Sequence, residues 1–273
     1  MNDRALIRTA SGLAAALAGL YLILVGGLPF FVAAATIGMA GTFEFCRLAA
    51  RKGLKVYTPL ALLGTLALAI ASYTGYSEYI SIIVLVIIVL SFFVHLIDRG
   101  VGNIIAASAA NVMSSLYVAL PIAFFLQMRG EPHDVSGAFY SLFTIAVVSA
   151  TDTGAYFVGS TLGKHKLCPA VSPKKTIEGA IGGIVAGFTI GLLLNLILPQ
   201  FGLHPMSWRH VGPLGLFTAV GGEIGDLIES AIKRDAGVKD SGSFLPGHGG
   251  VLDRFDSILI GIIVVYYYMI LFL

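Results

Sequence analysis

The chain has 273 residues, of which 57% are hydrophobic and only 12% are charged, and its mean hydropathy is +0.89. A soluble domain is about 45–50% apolar and about 25% charged, so this composition predicts an integral membrane protein and excludes a disordered one. The 17 basic and 15 acidic residues are thinly spread, which excludes a nucleic-acid binder. Because Cys46 and Cys168 are far apart and have no Cys/His cluster, neither a zinc site nor a disulfide is expected.

Nine apolar runs follow one another along the chain, each long enough for a membrane helix. Their approximate bounds are 9–27, 29–46, 57–76, 79–97, 103–127, 137–158, 179–198, 211–232 and 256–273. Since these runs are not alternating segments of about ten residues, as in a transmembrane barrel, the predicted fold class is all-α. The first run follows Arg4 and Arg8 and could be a signal peptide, but it continues into a second apolar run, which favours a retained helix.

The distribution of basic residues predicts the topology, because cytoplasmic loops hold the excess of lysine and arginine. With nine helices and a cytoplasmic N-terminus, 15 of the 17 basic residues fall inside, and only Arg129 and Arg209 fall outside. We therefore expect an odd number of crossings and a C-terminus outside. The two longest polar segments, 159–178 and 233–255, are then both cytoplasmic, so we expect a site that faces the cytosol.

Acidic side chains interrupt the eighth apolar run. Glu223, Asp226 and Glu229 are spaced by three residues, which places them along one helix face. An ionisable group at membrane depth costs about 2.5–3.5 kcal/mol even on the lenient insertion scale. The stripe therefore needs water, a cation or basic partners. The alternative is an amphipathic helix end that pairs with Lys233 and Arg234.

The segment that follows, from Ser230 to Asp256, mixes cations, carboxylates and glycines densely. Its glycines flank His248 and allow backbone N–H groups to approach an anion, and its cations can neutralise phosphates. Asp253 and Asp256 can present carboxylates together, and Mg²⁺ usually takes one or two carboxylates plus substrate phosphates. The glycines are Gly247, Gly249 and Gly250, and the cations are Lys233, Arg234 and Lys239.

The other polar segment repeats this theme of cations, hydroxyl groups and glycine at a helix entrance. Thr176 is positioned to cap the seventh helix, whose N-terminus favours anions. The segment is not a Walker A loop, because three residues instead of four separate Gly159 from Gly163 and because His165 stands where Ser or Thr is needed. On its own, this loop is either a nucleotide-binding loop or a basic contact with lipid headgroups.

These segments resemble the motifs of the phosphatidate cytidylyltransferase family, also called CDP-diacylglycerol synthase. Ser172-Pro-Lys-Lys-Thr176 is similar to one motif of the family and Asp152-Thr-Gly-Ala-Tyr156 to another. The longest match runs from Ser230 to Asp256 at the family's spacing and includes Lys233-Arg234, Lys239-Asp240, Leu245-Pro246, His248-Gly-Gly250 and Asp253-Arg254. The similarity covers about 149–273, whereas the earlier helices match only in hydropathy. We therefore divide the chain into N-terminal helices (1–136) and a catalytic region (137–273).

The resemblance implies transfer of a cytidylyl group from CTP to phosphatidate, with Mg²⁺ required, in a bacterial inner membrane or an equivalent organelle membrane. Two phosphates must approach each other, so metal ions and cationic side chains have to offset their repulsion. On the basis of this chemistry, the expected metal ligands are Asp226, Asp253 and Asp256, and the expected catalytic residues are Asp226, Lys233, Arg234 and Asp253. The expected substrate-binding residues are Ser172, Lys174, Lys175, Thr176, Lys239, Asp240, His248, Gly249, Gly250 and Arg254.

Two alternatives and one further partner stay open. Buried acids and glycine-rich helices also suit an ion-coupled transporter, although no second copy of the 223–256 pattern is present. A related CTP-dependent lipid enzyme, such as a polyprenol kinase or a CDP-archaeol synthase, is the alternative among enzymes. A homodimer is a further expectation, because a stripe of small residues permits either close helix packing within the chain or a dimer contact. The stripe consists of Gly179, Gly183, Gly187 and Gly191.

Overall fold

The fold is that of a helical membrane protein with one small β-hairpin. The computed structural model describes residues 3–130, 134–204, 206–242 and 249–273. The helices in these ranges are α1 (Asp3–Val25), α2 (Gly27–Arg51), α3 (Thr58–Tyr73), α4 (Ile80–Arg99), α5 (Ile104–Arg129), α6 (Val135–Leu162), α7 (Ile177–Ile197), α8 (Trp208–Asp235) and α9 (Leu252–Phe272). The strands are β1 (Lys166–Cys168) and β2 (Ser172–Thr176), and short 3₁₀ turns lie at Ser77–Tyr79 and Leu198–Phe201.

Each of the nine predicted apolar runs is an α-helix within the described residues. Seven of those helices are long and apolar enough to cross a membrane, so the chain is an all-α, multi-pass membrane protein. Among the others, α3 has only 16 residues. A helix of that length extends about 24 Å, less than the hydrocarbon core of about 30 Å. Nine crossings and the sides of the two termini stay predictions.

The polar segment 159–178 contains the β-hairpin, which the sequence analysis did not predict. β1 and β2 pair antiparallel, with Lys166 opposite Thr176 and Cys168 opposite Ser172. Ser172 precedes a proline, and a residue in that position is restricted to extended backbone. The hairpin fixes the two lysines of β2 directly before α7.

The predicted loop 233–255 is shorter in the structure, because helices enter it from both ends. Lys233 and Arg234 lie in the last turn of α8, and Asp253 lies in the first turn of α9. A hydropathy window ends where charged residues begin, whereas a helix continues as long as each N–H group finds the carbonyl four residues back. Cations at a helix C-terminus and carboxylates at an N-terminus also interact favourably with the helix dipole.

The small-residue stripe of α7 is used inside the chain. Its four glycines are buried against α6 and α8. An added Cβ at Gly187 would overlap Thr151 Oγ1, and one at Gly183 would lie 2.6 Å from the carbonyl oxygen of Thr151. Between the two functions considered for the stripe, the structure therefore supports close packing within the chain.

One cluster of buried apolar side chains joins the two halves. It includes Phe30 and Phe125 from the N-terminal helices and Val147 and Leu259 from the C-terminal ones. α5 and α2 also contact α9. The predicted domain boundary after residue 136 falls at the start of α6 and stays a prediction, but the helices on its two sides share a core.

Candidate active site

A cavity of about 460 Å³ lies between α6, α7, α8 and β2. Asp152 of α6 lies about 15 Å along the helix axis from Leu162, where α6 ends, so the cavity extends well along the length of α6. Two of the three motif regions, 152–156 and 172–176, contribute to its wall, and Glu223 and Asp226 of the acidic stripe complete it. The lining residues are Asp152, Ala155, Tyr156, Gly159, Ser160, Ser172, Lys174, Lys175, Thr176, Gly179, Ala180, Glu223 and Asp226.

Lys175 is held between two carboxylates in this cavity. Its Nζ lies 2.8 Å from Glu223 Oε2 and 2.9 Å from Asp226 Oδ2, and we call these three residues the cavity cluster. Burial by itself lowers the pKa of Lys175, but the charges of Asp226 and Glu223 and their hydrogen bonds outweigh it, and the pKa is raised above its ordinary value. The ammonium is therefore charged at neutral pH. Asp226 also accepts a hydrogen bond from Ser230 Oγ (3.1 Å).

Asp256 of α9 lies near Asp226 and Asp152. Asp152, Asp226 and Asp256 are close enough for their carboxylates to repel one another. Ser257 contacts two of them, because its Oγ donates to Asp152 Oδ1 (3.4 Å) and its N–H donates to Asp256 Oδ1 (2.7 Å). Carboxylates from α6, α8 and α9 thus meet at one place.

The charge of the cavity wall bears on whether a divalent cation fits. Across the described residues, no group of three or more His, Cys, Asp or Glu side chains is arranged to hold a metal ion. However, three carboxylates line the cavity against two lysines, and Asp256 lies near by. Mg²⁺ usually takes one or two carboxylates and completes its shell with water and substrate phosphates. The wall therefore fits this ion, and the metal assignment stays a prediction.

Lys233 forms a second group of one lysine and two carboxylates. It pairs with Glu229 one turn earlier, and its Nζ lies 2.7 Å from Asp253 Oδ1. We call these three residues the buried cluster, because their side chains are only 12%, 1% and 11% exposed, respectively. The corresponding values in the cavity cluster are 19% for Lys175, 7% for Glu223 and 30% for Asp226.

Asp253 also organises the backbone before α9. Its Oδ2 accepts hydrogen bonds from Ser241 N (2.9 Å), Ser241 Oγ (3.0 Å) and Gly250 N (2.8 Å). A carboxylate in the first helical turn commonly reaches back to the N–H group three residues earlier. Gly249 has a positive φ (82°), which glycine adopts without strain. The predicted contacts of Gly249 and Gly250 with a phosphate stay predictions, and His248 lies outside the described residues.

The remaining predicted cations have different surroundings. The guanidinium of Arg234 donates to the carbonyl oxygens of Val171 (3.2 Å) and Val238 (3.1 Å), which ties the hairpin turn to the end of α8. Lys174 is exposed at the cavity. Three further predicted residues are exposed and are not among the described residues that line the cavity: Lys239, Asp240 and Arg254.

Two residues at the start of α7 complete the site. Thr176 caps the helix as expected, because its Oγ1 accepts a hydrogen bond from Gly179 N (3.1 Å). Glu178 accepts hydrogen bonds from Lys164 N (3.0 Å) and lies 2.5 Å from His165 Nδ1. These contacts fix the turn between α6 and β1, and so they fix the hairpin that carries Lys175.

The sequence analysis missed one acidic residue. Glu44 lies on α2, is 4% exposed, and accepts hydrogen bonds from Ser241 Oγ and Leu252 N, both at 2.9 Å. A signal was present, because Glu44 stands between Phe43 and Phe45 inside the second apolar run. An ionisable residue in a membrane segment is by itself a reason to expect a function.

Comparison with known proteins decides the family. Residues 6–272 match the model of the cytidylyltransferase family. The chain belongs to this family. It is 34% identical over 274 residues to the phosphatidate cytidylyltransferase of Bacillus subtilis (strain 168), and the match covers 97% of each protein. The phosphatidate cytidylyltransferase of Staphylococcus aureus (strain COL) is 35% identical over 257 residues, or 93% of this chain and 94% of that protein.

The same extent of similarity holds for the phosphatidate cytidylyltransferase of Staphylococcus epidermidis (strain RP62A), which is 34% identical over 257 residues. Family resemblance therefore extends beyond the region 149–273 in which the sequence analysis found it. The N-terminal helices, including the one that carries Glu44, are part of the family match.

Proposed function

We propose that this protein transfers the cytidylyl group of CTP to phosphatidate and forms CDP-diacylglycerol and pyrophosphate in phospholipid synthesis. The observation that carries the proposal is the convergence of two motif regions and the acidic stripe of α8 on one charged cavity. Similarity to phosphatidate cytidylyltransferases over nearly the whole chain supports the same substrates.

In this reaction an oxygen of the phosphatidate phosphate forms a bond to the α-phosphorus of CTP. The bond from that phosphorus to the oxygen that bridges to the β-phosphate breaks, and pyrophosphate leaves with its electron pair. Because the lipid supplies the attacking oxygen, no protein nucleophile is needed. The protein has to position two anions and neutralise their charge.

The cavity cluster supplies cations for this purpose. In the absence of substrate, Lys175 is neutralised by Glu223 and Asp226. We propose that CTP phosphates compete with these carboxylates for Lys175 and also contact Lys174. Ser172 and Thr176 line the same cavity. Phosphate contacts are also proposed for the cations around the α8–α9 connection, which are Lys233, Arg234, Lys239 and Arg254.

We propose that Asp226 and Asp256 bind Mg²⁺, with Asp152 beside them. The excess of carboxylates over lysines in the cavity wall supports this choice. When bound, Mg²⁺ supplies neutralisation of phosphate charge. Asp253 stays a candidate ligand, but to bind a metal ion it would have to exchange its hydrogen bonds with Ser241 and Gly250.

We further propose that the chain crosses the inner membrane nine times, with the N-terminus in the cytoplasm, the C-terminus outside and the cavity open to the cytosol. The end of α6, the start of α7, the end of α8 and the start of α9 border the site, and the positive-inside rule places their basic residues in the cytosol. Lipids surround the exposed apolar side chains. A homodimer would have to use a surface other than the glycine stripe, which is buried in the chain.

The proposed reaction is tested with the purified protein, phosphatidate in detergent micelles, Mg²⁺ and CTP labelled at either the α- or the γ-phosphorus. We expect label from the α-position in the lipid and label from the γ-position in pyrophosphate. A lipid that carries the γ-phosphorus and no cytidine would contradict the proposal and indicate a kinase. A clear preference for an ether-linked lipid phosphate would instead indicate a synthase of archaeal-type lipids.

A further inference from the structure

The start of α9 has no cap from its own sequence. Its N-cap residue is Val251, whose side chain has no hydrogen-bonding atom, although the first N–H groups of any helix need acceptors. Glu44 of α2 supplies them. Its Oε1 accepts from Val251 N (2.9 Å), and its Oε2 accepts from Leu252 N (2.9 Å).

The fit around this carboxylate is close. An added Cβ at Gly242 would overlap Glu44 Oε1, and one at Gly250 would lie 2.5 Å from Glu44 Oε2. Both glycines belong to the segment that connects α8 to α9. Glu44 therefore lies in a cradle of backbone atoms that has space for its carboxylate only because these positions lack side chains.

A chain of polar contacts leads from Glu44 to Lys233. Ser241 Oγ lies 2.9 Å from Glu44 Oε2 and 3.0 Å from Asp253 Oδ2, and Asp253 Oδ1 contacts Lys233 Nζ (2.7 Å). A hydroxyl group has a single proton, so Ser241 donates to the two carboxylates in turn or shares its proton between them. The position of Asp253, and through it that of Lys233, depends on a residue of the N-terminal helices.

We propose that Glu44 is a positioning residue of the active site. It fixes the start of α9 and Ser241, so that Asp253 holds Lys233 where the reacting phosphates need it. The kinetic part of this inference rests on the proposed function, whereas the structural part does not. It also assigns a function to α2, a helix for which the sequence motifs suggested none.

The test compares Glu44→Gln and Ser241→Ala with Thr42→Val. Thr42 is a matched control, because it is also buried on α2 and its Oγ1 contacts Thr65 Oγ1 (2.9 Å), away from α9. We expect Glu44→Gln to lower kcat by about 10- to 100-fold, as small misplacements of reacting groups do, and to change the KM for CTP by less than about threefold. Thr42→Val should leave kcat unchanged even where it lowers thermal stability.

Two further measurements separate positioning from general destabilisation. The Glu44→Gln/Ser241→Ala double variant should lower kcat by less than the product of the single effects, because both act on one contact chain. Hydrogen exchange at Val251 and Leu252 should be faster in Glu44→Gln than in Thr42→Val.

Equal loss of kcat in Glu44→Gln and Thr42→Val, or multiplicative effects in the double variant, would overturn the proposal. Unchanged exchange at the start of α9 would also overturn it, and this measurement needs no activity. Absence of cytidylyl transfer in the unmodified protein would instead contradict the proposed function. Ser241→Ala breaks the contact chain without removing the Glu44 charge, so it provides the kinetic test should Glu44→Gln not fold.

Discussion

The cavity cluster and the buried cluster have the same composition and different surroundings. Each consists of one lysine between two carboxylates. Both carboxylates of the cavity cluster come from the acidic stripe of α8, whereas the buried cluster takes Glu229 from that stripe and Asp253 from α9. Lys175 and Asp226 line an open cavity. Lys233 and Asp253 are instead largely buried, and Asp253 accepts hydrogen bonds from the backbone N–H groups of Ser241 and Gly250.

This difference separates two uses of the same ion-pair chemistry. A lysine whose carboxylate partners border a cavity can exchange one of them for a substrate phosphate. A lysine whose partners also hold backbone N–H groups has to keep those partners, because each buried donor left unpaired is destabilising, and it can contact a phosphate only through its third N–H donor. We therefore expect substitutions in the cavity cluster to affect mainly turnover, and those in the buried cluster to affect turnover and stability together.

The largest effect is expected for Asp226→Asn. If Asp226 binds Mg²⁺, its loss should lower the initial rate of CDP-lipid formation by about 10³-fold or more, with little change in the heat resistance of the protein in detergent. Asp235→Asn is a matched control on the same helix, because Asp235 is exposed and pairs only with Lys52 among the contacts described, and surface pairs contribute little. Near-normal turnover of Asp226→Asn at an unchanged Mg²⁺ requirement would make Asp226 a structural partner of Lys175.

Asp253→Asn should combine two effects. We expect turnover to fall by about 10²-fold, and we also expect a loss of about 1–3 kcal/mol in stability, because the hydrogen bonds from Ser241 N and Gly250 N lose a charged acceptor. Heating in detergent with detection of the remaining folded protein measures the second effect. If Asp253→Asn lost turnover without any loss of stability, the contrast between the clusters would be wrong and a direct metal contact would be favoured.

A smaller effect is expected for Lys175→Met, about tenfold in kcat/KM for CTP. The loss should be largely in KM, because Lys174 remains at the cavity.

The raised pKa of Lys175 has a further consequence. Its ion pairs are fully present below the ordinary lysine pKa and are lost only as the pH rises through the raised value. Deprotonation of Lys175 should therefore not lower the rate between about pH 7 and pH 9. If the rate did decline in this range and Lys175→Arg removed the decline, the pairing of Lys175 with Glu223 and Asp226 would be contradicted.

The last prediction concerns the side of the membrane to which the cavity cluster opens, and it involves no change in turnover. Single cysteines are introduced at Ala170 in the hairpin turn and at Ser207 before α8, in a background without Cys46 and Cys168. Both positions are exposed. A membrane-impermeant thiol reagent should label Ala170→Cys from the cytosolic face and Ser207→Cys from the outer face. Labelling of both from one face would exclude the proposed topology.

The sequence was sufficient for the helices and for part of the cavity wall. Apolar runs correspond to helices because a membrane helix needs an apolar surface over its length. Two motif regions and the acidic stripe of α8 contribute to the cavity wall. The hairpin was missed because its pairing depends on a register that short polar strands do not encode. The contrast between Lys175 and Lys233 was missed for another reason, since both look alike in the sequence. Which lysine faces a cavity depends on helix packing.

The hydrogen bond between Glu44 and Leu252 joins residues that are 208 positions apart, and this separation matters for the order in which the protein is made. At about 5–20 residues per second, α2 is inserted some 10–40 s before α9 leaves the ribosome. Until then Glu44 has no partner at the start of α9, and the segment around Asp253 lacks its anchor. The site is therefore completed at the end of biosynthesis, when α9 meets a helix that entered the membrane near the beginning.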